Sequence, residues 1–568
     1  MSLLKRDYLG KIKNKKEVVF FLIFLTIISC FSLFLQKYII NGHDFMFHFS
    51  RLEGVITNIR TNNFFNGLYF RQLNCYGYAC PLFYADIFLY IPGILVCMGF
   101  SKYFSYKLFL FLISFFSILS MYYTASSISN NRKSGLIVSI LYASSSYRLT
   151  DMFERCALGE LLTFIFLPLV FLGIYEIIYG DEKKYYLLVF GISGLVLSHL
   201  ITFVLTFLVL FVICLVNVKK FFCEKKRLFY LFYSVFFTLL ITSYFLFPMV
   251  EQMFSQKYSV NYMMNHISVF DYATKFYRLF LAIPGIVYDK FFGGGWFPGG
   301  LGIAFVFILI LMVKIIVRRE VISNNNFAKL SIIICFFCII FSTNIFPWHF
   351  RIIESIFSFI QFPWRILSIA TVLILISFSI YYANSKYLNN SFITNLIIIF
   401  SFFPILIYNV YNLSSIYFQD TLGSDFETIS FGEYLPASDV VTDWKNNQGE
   451  YYYNREYEAV ADGVVDLDTK REKQYLIVRY RNNKDANFVI LPLLYYKGYD
   501  IKINHHKVSY MKSDEGLIQV KINHNKGKIV AYYRGSDLSY YTKIISFVSI
   551  VLFVILVIYQ KKHFCKRI

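Results

Sequence analysis

The stretch EVVFFLIFLTIISCFSLFLQ, residues 17–36, decides the fold class, because it is apolar over the length of a transmembrane helix. A bilayer core about 30 Å thick needs roughly 20 apolar residues per helix. Of the 568 residues, 57% are hydrophobic, 20% are aromatic and 16% are charged. Soluble domains usually carry about 25% charged residues. The composition therefore excludes a soluble enzyme and a disordered chain, and it predicts an α-helical, multi-pass membrane protein embedded in a lipid bilayer.

Apolar stretches of similar character recur along the chain. The further predicted spans are 105–128, 134–148, 160–179, 228–248, 301–317, 328–344, 365–382, 392–411 and 541–559, with two more in 185–217 that meet near His199. The stretch 82–98 is ambiguous, because Asp86 and Pro92 interrupt it. If this stretch lies in the outer interface, the chain has twelve spanning helices.

Basic residues orient these spans, because cytoplasmic loops of membrane proteins carry an excess of Lys and Arg. The N-terminal segment MSLLKRDYLGKIKNKK is strongly basic and is predicted to be cytoplasmic. With 82–98 outside, the later basic segments fall on the same side: 132–133, 183–184, 219–227, 318–319 and the tail KKHFCKRI. The net charge of +20 is then loop charge, and nucleic acid is not expected as a partner. Both termini are predicted to be cytoplasmic.

This topology predicts outer segments at 37–104, 146–159, 248–300, 345–364 and 412–540. From about Thr421 the chain turns polar, and short runs of strand-forming residues bounded by turn residues follow. We therefore predict three parts: a transmembrane domain in 1–411, a small extracytoplasmic β-rich domain in 412–540, and the last helix with its basic tail in 541–568.

The first outer segment opens with NGHDFMFHFSRLEG, residues 41–54. In a helix Asp44, His48 and Arg51 share one face, and the opposite face is apolar, which is typical of a helix lying on a membrane surface. One interpretation is a functional group of carboxylate, imidazole and guanidinium. The alternative is a helix cap at Asp44 followed by a solvated face. His43 and His48 leave a divalent metal site possible, although no third ligand stands out.

The second outer segment, SSSYRLTDMFERCALGE at 144–160, repeats this pattern of mixed charge. Arg148, Asp151 and Arg155 share a helical face, with Glu154 beside them and Glu160 at the start of the next span. Arginine suits a phosphate group through its bidentate fork. A carboxylate beside such an arginine stays ionised and can act as a base. A purely structural ion-pair network is the alternative.

Two further cationic or imidazole side chains lie near predicted span ends. His199, in LVLSHLITF, is either a packing residue or a functional donor. Arg365, in QFPWRI at 361–366, is either a membrane anchor or a ligand of a lipid phosphate.

Five segments carry a resemblance to a known family: HDFMFHFSRLEG, YGYACPLFYADIFLYIP, YRLTDMFERCALGE, LSHL and QFPWR. They resemble the bacterial YfhO-type proteins and their relatives labelled 6-pyruvoyl-tetrahydropterin-synthase-related membrane proteins. This group is similar to the GT-C membrane glycosyltransferases. The resemblance runs through most of the chain, including the β-rich segment and the last helix, and it implies a location in the bacterial plasma membrane.

GT-C enzymes transfer a sugar from a polyprenyl-phosphate carrier to an acceptor outside the cell. The resemblance therefore implies an envelope acceptor: teichoic acid, polysaccharide or protein. It implies that Asp44 is the catalytic base and that Asp151 or Glu154 is the second acidic catalytic residue. Residues expected to bind the substrate or its phosphate are His43, His48, Arg51, Arg148, Arg155, Glu160, His199 and Arg365. A requirement for a divalent metal is left open.

Two other functions compete with this hypothesis. A transporter or flippase for lipid-linked glycans would carry ionisable residues at mid-membrane depth, whereas these charges gather at the outer ends of spans. An envelope scaffold would use its β-rich domain for binding and would tolerate the loss of Asp44.

Overall fold

The computed structural model describes residues 9–12, 14–263, 268–280, 283–284, 300–317, 326–415, 432–438, 452, 455–463, 465–482 and 487–565. The structural statements below concern these residues. Parts of the predicted outer segments 248–300 and 412–540 lie outside them.

Most of the chain is helical. The α-helices are α1 (Lys15–Leu35), α2 (Phe45–Arg60), α3 (Cys80–Phe83), α4 (Tyr90–Cys97), α5 (Lys102–Ser129), α6 (Arg132–Ala143), α7 (Ser146–Phe153), α8 (Leu158–Tyr179), α9 (Tyr186–Ser198), α10 (Leu200–Val216), α11 (Val218–Cys223), α12 (Lys225–Ser255), α13 (Ser259–Met263), α14 (Ile303–Val317), α15 (Asn326–Phe341), α16 (Arg351–Phe357), α17 (Leu367–Asn384), α18 (Ser391–Ser414) and α19 (Asp537–Cys565). Short 3-10 helices occur at Leu9–Lys11, Ile87–Leu89, Glu182–Tyr185, Phe276–Phe280, Ser358–Ile360 and Pro363–Ile366.

Within the described residues, seven helical segments are long and apolar enough to cross a membrane: Lys15–Leu35, Lys102–Ser129, Leu158–Tyr179, Lys225–Ser255, Pro363–Asn384, Ser391–Ser414 and Asp537–Gln560. The other five predicted spans are also helical but shorter, as α6, α9, α10, α14 and α15. The mostly helical class is thus confirmed, while the number of twelve spans and their orientation stay predictions.

The stretches 82–98 and 185–217 are both broken helices. The stretch 82–98 contains the end of α3, the 3-10 turn Ile87–Leu89 and the eight-residue α4, and none of these is long enough to span a bilayer alone. The stretch 185–217 is divided at His199, whose backbone is extended (φ −154°, ψ 105°) between α9 and α10. The predicted break near His199 is confirmed.

The chain forms two compact units, and both are discontinuous in sequence. The first unit contains Met1–Phe45, Tyr106–Leu239 and Ile267–Gln419, and the second contains Met46–Ser105, Leu240–His266 and Asp420–Ile568. This grouping divides the chain at other positions than the predicted boundaries after 411 and 540.

In the first unit, amide and hydroxyl groups join α1 to α18. The Asn409 side chain accepts a hydrogen bond from the Ser32 backbone N–H (3.1 Å) and donates one to the Ser29 carbonyl (3.2 Å). Asn412 donates to the Ser32 hydroxyl at 2.9 Å. In a lipid bilayer, apolar helix surfaces gain little by contacting each other, because lipid tails are equally apolar. Hydrogen bonds between helices therefore help to decide which helices pack together. A bond between Thr150 and Tyr408 (2.6 Å) then fastens α7 to α18.

The second unit contains two antiparallel sheets, which confirm the predicted C-terminal β-rich region. The strands are β1 (Val460–Ala461), β2 (Val465–Glu472), β3 (Tyr475–Asn482), β4 (Phe488–Leu494), β5 (Tyr499–Ile503), β6 (His506–Lys507), β7 (Tyr510–Lys512), β8 (Leu517–Lys521) and β9 (Lys526–Tyr533). One sheet has the order β1-β4-β8-β7 and the other β2-β3-β9-β5-β6. The register shifts between Leu491 and Leu494 of β4, so Pro492 lies at an irregularity where no ladder hydrogen bond is needed.

Candidate functional site

The site forms where α7 turns into α8. The helix ends at Phe153, and hydrogen bonds from the Arg155 N–H to the Thr150 carbonyl and from the Ala157 N–H to the Asp151 carbonyl, both 2.9 Å, fold the chain back. Cys156 takes a positive φ of 54° in this turn. The turn places Arg155 within reach of Asp151, four residues before it, and of Glu160 in the first turn of α8.

Arg155 is the centre of this site. Its Nη1 donates to Glu160 Oε2 (2.9 Å) and to Asp151 Oδ1 (2.8 Å), and its Nη2 donates to Glu160 Oε1 (3.0 Å). Nη2 also lies 3.7 Å from Oδ2 of Asp44, an ion pair longer than a hydrogen bond. The bidentate contact fixes the orientation of the guanidinium plane. We call Asp44, Asp151, Arg155, Glu160 and Arg365 the Arg155 cluster.

Glu160 joins the second arginine to this cluster. Its Oε1 accepts a hydrogen bond from Arg365 Nε (2.9 Å), and its Oε2 accepts one from the Tyr147 hydroxyl (2.7 Å). Its position in the first turn of α8 also favours a negative charge, because helix N-termini are electropositive. Two guanidinium groups and one hydroxyl therefore stabilise the buried Glu160 carboxylate.

The 3-10 helix Pro363–Ile366 positions Arg365. Arg365 Nη1 donates to the Ile360 carbonyl (2.9 Å) and to Gln361 Oε1 (3.0 Å). Its guanidinium lies 4.8 Å from the centre of the Phe362 ring, which in turn stacks on Trp364. Among the described residues, Arg365 Nη2 has no hydrogen-bond partner. Arg365 thus belongs to the site rather than serving only as an anchor.

A steric fit and a backbone hydrogen bond hold Asp44 against the turn after α7. The Asp44 N–H donates to the Arg155 carbonyl at 2.8 Å. Two residues earlier, a Cβ on Gly42 would lie 2.4 Å from the Glu154 carbonyl oxygen and 2.6 Å from Cys156 Sγ. No real side chain tolerates such distances, so this close approach requires glycine.

Burial raises the pKa values of two acidic groups of the cluster, Asp44 and Asp151. It raises the pKa of Asp44, and the charge of Arg155 opposes this shift. It raises the pKa of Asp151 well above its ordinary value, and the nearby Glu160 adds to this effect, while Arg155 opposes it. Asp151 Oδ2 is buried without a hydrogen bond within the described structure.

His199 lies near the cluster and also has a structural role. Its Nδ1 accepts a hydrogen bond from the Thr202 N–H (3.3 Å) and lies 2.8 Å from the Thr202 hydroxyl, so it caps α10. The charges that act on it are those of Glu160, Arg365 and Arg155. Both interpretations made from the sequence are therefore compatible with its surroundings.

Arg148 and Glu154, two predicted site residues of the segment 144–160, do not take part in the contacts of the Arg155 guanidinium. Arg148 is fully buried, and it donates to the carbonyls of Tyr142 (3.2 Å) and Ala143 (2.5 Å) at the end of α6, and to the Ser114 hydroxyl (3.2 Å). Its guanidinium satisfies helix-end carbonyls, so the structure does not place Arg148 with the predicted phosphate-binding arginines. Glu154 is buried at the C-terminal end of α7 and forms no ion pair with Arg155 among the described contacts.

The first predicted cluster is divided between the two units. Asp44 and His43 belong to the first unit, and burial and Arg155 lower the pKa of His43. His48 and Arg51, on α2, belong to the second unit and are buried. The predicted solvated face is wrong, because Arg51 donates to the carbonyls of Tyr84 (3.1 Å) and Ala85 (2.7 Å) and contacts His48 Nδ1 (3.1 Å).

Asp86 interacts electrostatically with Arg51 in the second unit, and its pKa allows the effect of burial to be measured. Its Oδ2 accepts a hydrogen bond from the Tyr69 hydroxyl at 3.1 Å, and burial raises its pKa from 3.8 to about 6, with Arg51 opposing. The pKa of Asp86 is higher in the folded chain than in the unfolded chain, so the folded state is favoured by protonation. This contribution to the free energy of unfolding is complete below about pH 4 and is lost as the pH rises through about 6. The free energy of unfolding should fall by about 3 kcal/mol over this window.

Asp86→Asn should remove this pH dependence. The measurement is the thermal unfolding of the detergent-solubilised chain at several pH values between 4 and 7.5, with the variant compared with the wild type. Identical pH slopes in the two proteins would show that Asp86 titrates normally.

Tyr147 and Gln361 are site residues that the sequence interpretation missed. Tyr147 lies four residues before Asp151, on the same helical face, and this spacing was an available signal. Gln361 has a positive φ of 61°, which no sequence pattern indicates.

The donor set does not suit a divalent metal. The oxygens of Glu160 already accept hydrogen bonds from Arg155, Arg365 and Tyr147, and the two arginines repel a cation. No group of three or more His, Cys, Asp or Glu side chains with metal-binding geometry occurs in the described part of the chain.

No family model matches this chain. Over 262 residues it is 26% identical to an uncharacterized protein of Lactococcus lactis subsp. cremoris (strain MG1363). The match covers 44% of this chain and 42% of that protein. The similarity assigns no activity.

Proposed function

We propose that this chain is a membrane glycosyltransferase of the GT-C type, which transfers a sugar from a polyprenyl-phosphate carrier to an envelope acceptor. One observation carries the proposal. The Asp44 side chain is 33% exposed, whereas the side chains of Asp151 and Glu160 are 0% and 4% exposed. This difference supports Asp44 as the carboxyl group that an acceptor hydroxyl approaches, because the other two carboxyl groups are enclosed.

The surroundings of Asp44 suit a general base. Burial raises the pKa of Asp44 above its ordinary value, and a carboxylate with a raised pKa accepts protons more effectively. Arg155 opposes this shift and favours the ionised form that a base needs. The backbone bond to the Arg155 carbonyl fixes the position of the residue.

In the proposed reaction Asp44 takes the proton of the acceptor hydroxyl. The hydroxyl oxygen forms a bond to the anomeric carbon of the sugar, and the bond from that carbon to the carrier phosphate breaks. The electron pair of the broken bond leaves with the phosphate, whose growing negative charge needs fixed positive partners. The products are the glycosylated acceptor and polyprenyl phosphate.

Arg365 is the better of the two arginines for holding the phosphate. Arg155 is engaged with three carboxyl groups, whereas Arg365 Nη2 is available among the described contacts. Arg365 is the third residue of the apolar segment Pro363–Asn384, and Glu160 is the third residue of Leu158–Tyr179. Charges this close to the ends of apolar segments support a lipid-linked donor over transport through the bilayer centre.

The proposed location is the bacterial plasma membrane, with both termini cytoplasmic and the Arg155 cluster outside. The basic segments that predicted this orientation support it. The acceptor classes that fit are teichoic acid, polysaccharide and protein, all of which carry hydroxyl groups.

Reconstitution tests the function directly. The purified chain is placed in liposomes that contain polyprenyl-phosphate sugars, and envelope acceptors are added on one side. Sugar transfer to an acceptor, with release of polyprenyl phosphate detected by mass spectrometry, is the expected result. Movement of the intact lipid-linked sugar without its consumption would identify a flippase, and binding alone would identify a scaffold.

A further inference from the structure

The five-stranded sheet of the second unit exposes one strongly basic face. Its registers pair Arg479 with Lys528 and Arg481 with Lys526, so these four side chains point the same way. All four are exposed. On the neighbouring strands β5 and β6, Lys502 lies opposite Lys507, and Lys502 pairs with Val530 of β9 on this same face. We call Arg479, Arg481, Lys502, Lys507, Lys526 and Lys528 the basic face.

These pairings are unfavourable for the isolated protein. Like charges directly opposite each other in an antiparallel sheet are destabilising, and this face contains three such pairs. Protection of sheet edges by lysine explains Lys507, because β6 is an edge strand. It does not explain the four residues on β3 and β9, which are interior strands. The repeated basic pairs therefore indicate a function.

Acidic residues neutralise the face only in part. Asp468 lies 3.1 Å from Arg479 and Asp500 lies 3.6 Å from Lys502, and Asp466 is opposite Arg481 in the register. Lys526 and Lys528 on β9, and Lys507 on β6, form no ion pair among the described residues. The positive charge is consequently concentrated along one end of β9.

The position of this charge along the strand argues against the lipid bilayer as the partner. β9 runs from Lys526 to Tyr533, and the apolar helix α19 begins at Asp537. Lys526 and Lys528 thus occupy the end of β9 that is farther from α19, roughly 23 Å and 17 Å along the strand from Tyr533 at about 3.3 Å per residue.

The chemistry of the face indicates the class of partner. Cations spread over several strands suit an anion that repeats along a polymer better than one small ligand. Arginine forks and lysine ammonium groups both bind phosphate well. We propose that the basic face binds a polyanionic polymer with repeating phosphodiester groups in the aqueous phase. This inference does not depend on sugar transfer by the Arg155 cluster.

The test uses the full chain in phosphatidylcholine nanodiscs, with fluorescent inorganic polyphosphate as the probe. The double variant Arg481→Gln/Lys526→Gln removes one opposed pair and should weaken the Kd by about fivefold. Wild-type affinity should fall as NaCl rises, because the cations are exposed. The Tm of the variant should not fall, since a repulsion is removed.

The matched control is Lys512→Gln/Lys521→Gln, which removes two exposed lysines from the four-stranded sheet. Its Kd should stay close to the wild-type value. An unchanged Kd in the Arg481→Gln/Lys526→Gln variant, or an equal loss in both variants, overturns the proposal. The proposal is also overturned if the Arg481→Gln/Lys526→Gln variant keeps its affinity for polyphosphate and loses affinity only for phosphatidylglycerol vesicles. That result identifies a lipid surface as the partner.

Discussion

Asp44→Asn is expected to lower sugar transfer by about 10²- to 10⁴-fold, the usual contribution of a general base. The asparagine side chain has the same shape but cannot take a proton at neutral pH. The 3.7 Å distance to Arg155 shows that Asp44 makes only a weak ion pair, and the side chain is partly exposed, so the folded protein should tolerate this change. Transfer is measured in the reconstituted system at equal protein amounts.

The matched control for Asp44→Asn is Glu182→Gln. Glu182 is also a partly exposed acidic residue of the first unit, and it lies 3.9 Å from Arg227. This control should retain full transfer. If Asp44→Asn retains it as well, Asp44 is not the base and the catalytic assignment fails.

Arg155→Ala is expected to destabilise the protein by about 3–5 kcal/mol, the usual cost of removing one partner of a buried ion pair. The change leaves Glu160 with Arg365 as its remaining cation and removes the ionic partner of Asp151. The measurement is the Tm of the solubilised chain together with its yield from membranes. Loss of transfer in this variant would report lost folding, so it cannot identify a catalytic role by itself.

Two companion variants make this prediction sharper. Arg155→Met combined with Asp151→Leu should be more stable than Arg155→Ala, because Glu160 keeps Arg365 as its partner and no buried Asp151 carboxyl group is left without Arg155. Arg479→Ala, which breaks an exposed ion pair with Asp468, should leave the Tm unchanged. A Tm for Arg155→Ala equal to that of the wild type would contradict the central position of Arg155.

Local spacing predicted the parts of the site that are close in sequence. The four-residue separation of Asp151 and Arg155 indicated a shared helical face, and the structure shows an ion pair between them. The contacts of Glu160 with Arg365 and of Arg155 with Asp44 join residues that are distant in sequence. No periodicity reports such contacts, because they depend on how whole helices pack.

Arg148 shows a different limit of sequence interpretation. Its helical spacing to Asp151 and Arg155 suggested one functional face, yet its guanidinium points to the end of α6. The last carbonyls of every helix need partners, and an arginine shortly after a helix end can supply them. In the β-rich region, turn residues and strand composition predicted the strands, whereas the order of strands within each sheet depends on long-range pairing.

The contact of Gly42 with the turn after α7 has a consequence for the way mutational data on this chain are interpreted. Gly42 carries no reacting group, but any larger residue would push the segment that holds Asp44 away from Arg155. A saturation scan scored by activity would therefore rank Gly42 beside the charged residues as indispensable. Its intolerance would reflect the mechanical coupling of two loops, and only a separate structural readout would distinguish it from chemistry.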